Sequence, residues 1–259
     1  MSSVIVLSEI ESGEKFPSIY FEIADESHFW CQWRFRIFLR MLKDLRIDTE
    51  TYWRVLDVGC GNGVVRRQLE ARTEWTTDGT DFPMEALKRN VGVKGKTFRY
   101  NVFEEREEFR YAYDAIILFD VLEHIEDPPR FLRALDFHLK PGGWLFVNVP
   151  ALEVLRSPYD AIQGHLRRYT PVMLKSEFAG LSFTVESVLY WGMMLLPLLL
   201  VRKAVLSMMK KRGDVYKIGF QPPAKFVNTV LVMIMKLETA ILRRPPIGTS
   251  VLGAFRKKP

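Results

Sequence analysis

The sequence predicts an α/β fold, a mostly parallel sheet with helices on both faces. Three observations carry that reading. A short apolar strand, Arg54 to Val58, runs straight into the loop Gly59-Cys60-Gly61-Asn62-Gly63 and on into a helix from Val64 to Arg72. The continuous apolar run from Tyr113 to Phe119 has the character of a strand covered on both faces. Short apolar stretches then alternate with helical ones as far as Pro150, the pattern of repeated βαβ units.

The glycine loop organises everything else. Glycines at alternate positions leave no side chain between the backbone and a ligand, and they permit the tight turn into the helix. Asp57 is the one charge of the strand that points at that crevice. Strand, loop and helix form the first half of a nucleotide-binding βαβ unit. A dinucleotide loop would need a third glycine at Val64, counting from Gly59, or at Arg66, counting from Gly61. Both registers fail. The pattern of Asp57, Gly59, Gly61 and Gly63 instead resembles motif I of the class I S-adenosylmethionine-dependent methyltransferases. Their cofactor has no phosphate, so the resemblance implies a loop packed on its nucleoside and amino-acid portions. Asp57 would hold the methionine end, and Cys60 would fill the loop as a small apolar residue.

Composition narrows the class. A chain of 259 residues with ordinary hydrophobic and charged fractions buries a core easily, so disorder is not the default. Met1-Ser2-Ser3-Val4 lacks a basic region followed by an apolar core, so no signal peptide is expected. The only cysteines, Cys31 and Cys60, make no disulfide framework and fit a reducing, cytoplasmic setting. The net charge of +6 hides a division. From Arg202 onward there are 13 Lys or Arg and two acids, whereas the first 201 residues carry 24 basic and 29 acidic side chains. Reading the whole chain as a basic nucleic-acid binder would average over that boundary.

Before the loop, residues 16 to 46 read as an entry helix. Phe29, Trp33, Arg36 and Arg40 recur at helical spacing, as do Trp30, Ile37 and Met41. Two roles stay open: a helix packed on the sheet with arginines snorkelling outward, or a lid whose His28 and Trp30 meet substrate. After the loop, Trp75 to Thr80 is the second strand. Asp81 ends it, 18 residues beyond Gly63, where βαβ geometry brings a carboxylate to ribose hydroxyls. Pro83 suits the first turn of the helix that follows Phe82. Lys96 to Val102 is the third strand. There Asn101 stands where the resembled family often has an acid for the adenine amino group, and its amide can still bond that edge.

The fourth strand, Tyr113 to Phe119, empties into Asp120-Val121-Leu122-Glu123-His124, which resembles the motif IV region of quinone-biosynthesis-like methyltransferases. The resemblance extends the cofactor contacts to Phe82, Val102, Phe119 and Asp120. His124 could take a proton from an acceptor hydroxyl, or serve as a structural histidine. A helix from Pro129 to Leu139, closed by Lys140-Pro141-Gly142-Gly143, precedes the fifth strand, Trp144 to Val149. Next, Gly164-His165-Leu166-Arg167-Arg168-Tyr169-Thr170 resembles a segment of one branch of these enzymes. His165 is a second candidate base. Arg167, Arg168 and Tyr169 either hold an acidic group of the substrate or brace the loop.

Leu181 to Tyr190 and Ser250 to Arg256 complete the strands. Five ordered pieces over about residues 54 to 150 carry the resemblance. It implies a Rossmann-like seven-stranded sheet with the last strand antiparallel, and a helical insertion before that strand. The domains follow: an N-terminal helical segment over 1–50, a methyltransferase domain over 51–190 and 248–259, and an insertion over 191–247. Trp191 to Val201 is apolar but too short to span a bilayer, and Arg202, Lys203, Lys210, Lys211 and Arg212 follow it. A second apolar stretch runs from Phe226 to Leu242. A hairpin lying on an anionic membrane, at the inner face, fits this charge pattern. A cap over the site, or a dimer interface, is the other reading.

The implied activity is methyl transfer from S-adenosylmethionine, giving S-adenosylhomocysteine, to a small-molecule or lipid-linked acceptor through a hydroxyl oxygen. No metal is expected. Two alternatives remain: a nucleic-acid methyltransferase using the basic insertion, and a non-catalytic membrane-associated module. The loop after the fourth strand lacks the Asn/Asp-Pro-Pro-aromatic signature of base methylation, which disfavours nucleic acid.

Overall fold

The computed structural model describes residues 4–9, 26–208 and 224–259. Its eight-stranded sheet has the order β1 (Val4–Val6), β4 (Thr97–Arg99), β3 (Thr76–Thr80), β2 (Arg54–Val58), β5 (Tyr113–Phe119), β6 (Leu139–Pro150), β8 (Ser250–Lys257), β7 (Phe183–Trp191). Strand β8 is antiparallel to both β6 and β7, and the other pairings are parallel. This is the Rossmann-like arrangement expected, with eight strands rather than seven. The extra one is β1, an edge strand in parallel register with β4, Val4 opposite Thr97. Three residues carry too little periodicity to be read as a strand. A second difference concerns Lys140-Pro141-Gly142-Gly143, which lies inside β6 instead of closing a helix. Leu139 already pairs with Tyr113, and Trp144 rejoins at Ala115 after a bulge.

Alternation along β5 explains its unbroken apolar run. Ala115, Ile117 and Phe119 join one core with Val55 and Phe146, while Ile116 and Leu118 join the other with Leu56 and Val147. Helix α1 (Phe29–Asp44) covers the first face, with Phe38 edge-on to Phe119 at 5.4 Å and to Phe146 at 5.0 Å. Of the entry helix foreseen over 16–46, residues 16–25 lie outside the described residues. Arg40 does not snorkel into water. Its guanidinium donates to the carbonyls of Thr239, Leu242 and Arg243 at 3.2, 3.0 and 3.0 Å, supplying donors that a helix C-terminus lacks.

Those carbonyls lie at and just past the end of the last helix in the segment between β7 and β8. That segment holds a 3₁₀ turn (Met193–Leu195), α7 (Leu196–Met208) and α8 (Lys225–Ile241). Trp191 belongs to β7, so the insertion drawn from sequence over 191–247 begins one residue too early. Lys210, Lys211 and Arg212 lie outside the described residues. Helix α8 packs on α1, and its buried Glu238 accepts from the amides of Gly192 and Met194, each at 2.7 Å. Among the described residues, no helix is long and apolar enough to cross a membrane.

Candidate active site

A cavity of about 320 Å³ opens at the carboxyl ends of β2, β3, β4 and β5, where an open α/β sheet takes its ligands. Gly59 and Gly61 line it with φ of 74° and 52°. A Cβ on Gly59 would lie 2.4 Å from Val121 Cγ2, so the close approach of two loops requires glycine there. The Gly61 amide donates to Asp81 Oδ2 at 2.8 Å, and the Phe82 amide to Oδ1 at 2.7 Å. Asp81 is thereby fixed in the wall, and each oxygen keeps a lone pair for a ligand hydroxyl. Burial raises its pKa, while the two amide bonds pull the other way.

Three expected cofactor contacts stand behind the wall rather than in it. Gly63 is the N-cap of α2 (Val64–Glu70), where a Cβ would lie 2.4 Å from Asn90 Oδ1. Cys60 is buried, and burial pushes its thiol pKa well up. Asp57 is buried with Oδ2 lacking a hydrogen-bond partner. Its pKa rises to about 7 through burial, opposed by Arg66 and Arg34 and reinforced by Asp81. Fully buried Arg66, at a position where a dinucleotide loop would want glycine, uses all its guanidinium donors. They reach Thr77 O, Asn90 Oδ1, Thr97 Oγ1, Gly95 O and Lys96 O at 2.8–2.9 Å, tying α2 to β3 and β4.

Phe82, Asn101 and Val102 line the adjoining wall. Asn101 spends its side-chain oxygen on the Phe103 amide at 3.1 Å, so its NH₂ is the group left to face a ligand. Phe119 and Asp120 follow on β5 and the loop after it. Asp120 adopts φ of 57°, uncommon for a non-glycine residue, and is held there from both sides. Arg34 of α1 pairs with Oδ2, and Asn148 Nδ2 donates to Oδ1 at 2.6 Å. Trp191 Nε1 donates in turn to Asn148 Oδ1 at 2.9 Å. Sequence reasoning missed Arg34 and Asn148, because no short motif joins residues 86 and 28 positions from Asp120.

Both candidate histidines, His124 and His165, line the cavity, with ring centroids 4.9 Å apart and edge-to-face. His165 Nδ1 donates to Asp160 Oδ1 at 2.9 Å. Asp160 is fully buried; burial opposes its charge, but bonds from His165 and Arg168 prevail and hold its pKa well below the usual range. An ionised acceptor on Nδ1 leaves the lone pair of neutral His165 on Nε2. His124 Nδ1 donates to the Gly164 carbonyl at 3.3 Å. Burial and the neighbouring His165 push the His124 pKa down to about 4. Glu123 is buried beside them, neither carboxyl oxygen hydrogen-bonded, and burial and then Asp120 raise its pKa far above normal. Glu123, His124 and His165 can bring one donor atom each within 4.8 Å of one another, a two-histidine, one-carboxylate set able to hold a divalent cation.

The five expected substrate contacts lie outside the lining. His28 caps α1, accepting from the Trp30 amide at 3.2 Å, and Trp30 packs on Trp191 at 4.6 Å. Arg167 donates to Glu126 O at 3.1 Å. Arg168 binds Asp160 at 2.8 Å and Ala151 O at 3.0 Å. Tyr169 is fully buried, its amide on Pro150 O at 2.8 Å. The contacts of Arg167, Arg168 and Tyr169 brace the loop that carries His165. Asp160 itself escaped notice in the sequence, although Ser157 and Asp160 form a capping box that marks where its carboxylate is anchored.

A family model described as a methyltransferase domain matches residues 23–188. The chain belongs to that family. It is a class I S-adenosylmethionine-dependent methyltransferase domain, and the glycine floor, Asp81 and the orphaned Asp57 oxygen fit its cofactor. The chain is 35% identical over 101 residues to a ubiquinone biosynthesis O-methyltransferase of Shewanella sp. (strain ANA-3), covering 37% of this chain and 42% of that one. The counterpart from Shewanella pealeana is 29% identical over 130 residues, covering 48% and 50%. The chain thus spans about half or less of the curated relatives it matches. Among solved structures, the Haemonchus contortus phosphoethanolamine N-methyltransferase 2 complex with S-adenosylmethionine aligns with TM-score 0.55 and 17% identity, over 89% of this chain and 53% of that one. A Mesorhizobium loti S-adenosylmethionine-dependent methyltransferase gives 0.53 and 14%, over 84% and 96%. At those identities the likeness is one of fold.

Proposed function

We propose that the protein methylates a hydroxyl oxygen of a small, apolar or lipid-linked acceptor, with His165 as the base. One observation carries this reading: His165, bonded to the buried Asp160, lines the same cavity as Gly59, Gly61 and Asp81. When bound, S-adenosylmethionine supplies a methyl carbon on a cationic sulfur. Asp81 would accept from its ribose hydroxyls, and Asp57, behind the wall with its Oδ2 lacking a hydrogen-bond partner, would attract its ammonium group. Asn101 would donate to the adenine edge through its NH₂.

The acceptor hydroxyl gives its proton to His165 Nε2, and buried Asp160 stabilises the imidazolium that forms. Burial and the nearby Asp120 disfavour the charged form of Glu123 beside that imidazole. Aromatic side chains of the lining, Phe103 and Phe131 among them, exclude water from the reacting oxygen. The O-methyltransferase names of the sequence relatives support oxygen as the target. The direct test offers S-adenosylmethionine labelled in the methyl to a panel of hydroxyl-bearing aromatic and prenyl-lipid acceptors. Label recovered as an O-methyl ether is the expected result. Label recovered only on nitrogen, or in RNA or DNA, rejects the reading.

A further inference from the structure

We propose that the solvent faces of α7 and α8 seat the protein on an anionic lipid bilayer. On α7, Leu198, Val201, Val205 and Met208 recur at helical spacing and are 48%, 62%, 46% and 82% exposed. On α8, Phe226, Val230, Met233, Leu237 and Ile241 repeat the pattern at 78%, 37%, 65%, 51% and 62%. The other side of α8, Leu231, Met235 and Glu238, is already buried. A helix apolar on both sides has one face for the fold and a second for something else.

Charge says what that something is. Lys225, Lys236, Arg243 and Arg244 are exposed beside the α8 stripe. The one acid between Gly192 and Thr249 among the described residues, Glu238, is buried and engaged by the Gly192 and Met194 amides. Apolar stripes bordered by cations alone suit acyl chains beneath phosphate headgroups. A protein interface would select against the lysines. With 13 residues, α7 is about 20 Å long, short of the roughly 30 Å of hydrocarbon, so it lies in the interface plane.

Both helices rest on walls of the active-site cavity. Arg202 of α7 stacks 4.3 Å over the ring of Tyr159 in α5 (Pro158–Gln163), and Gln163 of that helix lines the cavity. Helix α8 rests on α1, which supplies Arg34 to Asp120. A bilayer held there meets the two helices whose neighbours line the cavity. Docking stands on the two surfaces themselves; its consequence, an acceptor drawn from the membrane, rests on the methyl-transfer reading above.

Flotation of the full chain with phosphatidylcholine vesicles, with and without phosphatidylglycerol, tests this. Strong binding is expected only with phosphatidylglycerol, falling several-fold at high salt. The pairs Val201→Gln with Val205→Gln, and Met233→Gln with Leu237→Gln, alter exposed positions. Each pair should weaken partitioning at least about tenfold and leave S-adenosylhomocysteine affinity and thermal stability unchanged. No flotation on phosphatidylglycerol vesicles, or variants floating like the parent, overturns the proposal. A dimer dissolved by the same substitutions also overturns it, assigning the stripes to a second copy. Flotation without cofactor binding would remove the enzyme reading and leave the docking.

Discussion

The two ends of the cavity are held by different means. At the β2–β3 end the ligand meets backbone: Gly59 and Gly61 in left-handed conformations, and Asp81 pinned by two amides. At the far end it meets titratable side chains, each set by another side chain or a loop carbonyl, as Asp160 sets His165 and the Gly164 carbonyl sets His124. A backbone cradle fits one ligand shape and changes little when surface residues change. A side-chain network can be re-aimed by single substitutions, which suits the half that must recognise a particular acceptor.

If that division is right, damage at each end should separate chemistry from cofactor affinity. His165→Ala should lower kcat about 10²- to 10⁴-fold with S-adenosylhomocysteine affinity intact, read by calorimetry beside steady-state kinetics. Equal losses in both would break the comparison. Asp57 sharpens it through stability. Its native pKa near 7 lies above the ordinary 3.8, so the folded form binds the proton more tightly than the unfolded chain. Its contribution is therefore full below about pH 4 and is lost as pH rises to 7, on the order of 4 kcal/mol. Urea unfolding across that range should fall more steeply for the parent than for Asp57→Asn; parallel curves would remove the assignment. Next, Asp160→Asn should cost about 10- to 100-fold in kcat with little change in KM, as expected for a residue that positions the base. Smallest is His124→Ala, less than about tenfold, because a ring with pKa near 4 is a weak proton acceptor. A His124 loss larger than that of His165 would exchange their roles.

Much of the cradle was legible because it is local. The glycine loop, the strand before it and Asp81 lie within 28 residues, Arg54 to Asp81, and their spacing is set by one βαβ unit. The histidines were legible through the loops after β5 and β6. Their partners were not: Asp160 reaches His165 only because Gly164, with φ of 77°, turns the chain back. Arg34 finds Asp120 across the sheet from α1, and Arg40 caps a helix some 200 residues away. Such contacts depend on tertiary placement that periodicity does not encode. The same limit applies to Arg167, Arg168 and Tyr169, whose composition suits an acidic ligand but whose bonds go to the loop itself.

Titration of S-adenosylmethionine into the parent protein and into Asp81→Ala reaches the centre of the account without knowledge of the acceptor. Saturable one-to-one binding by the parent, weakened at least about tenfold by the substitution, is the expected result, since charge-assisted bonds contribute about 1.5–3 kcal/mol each. Equal affinity for the two proteins, or no binding to the parent, would contradict it.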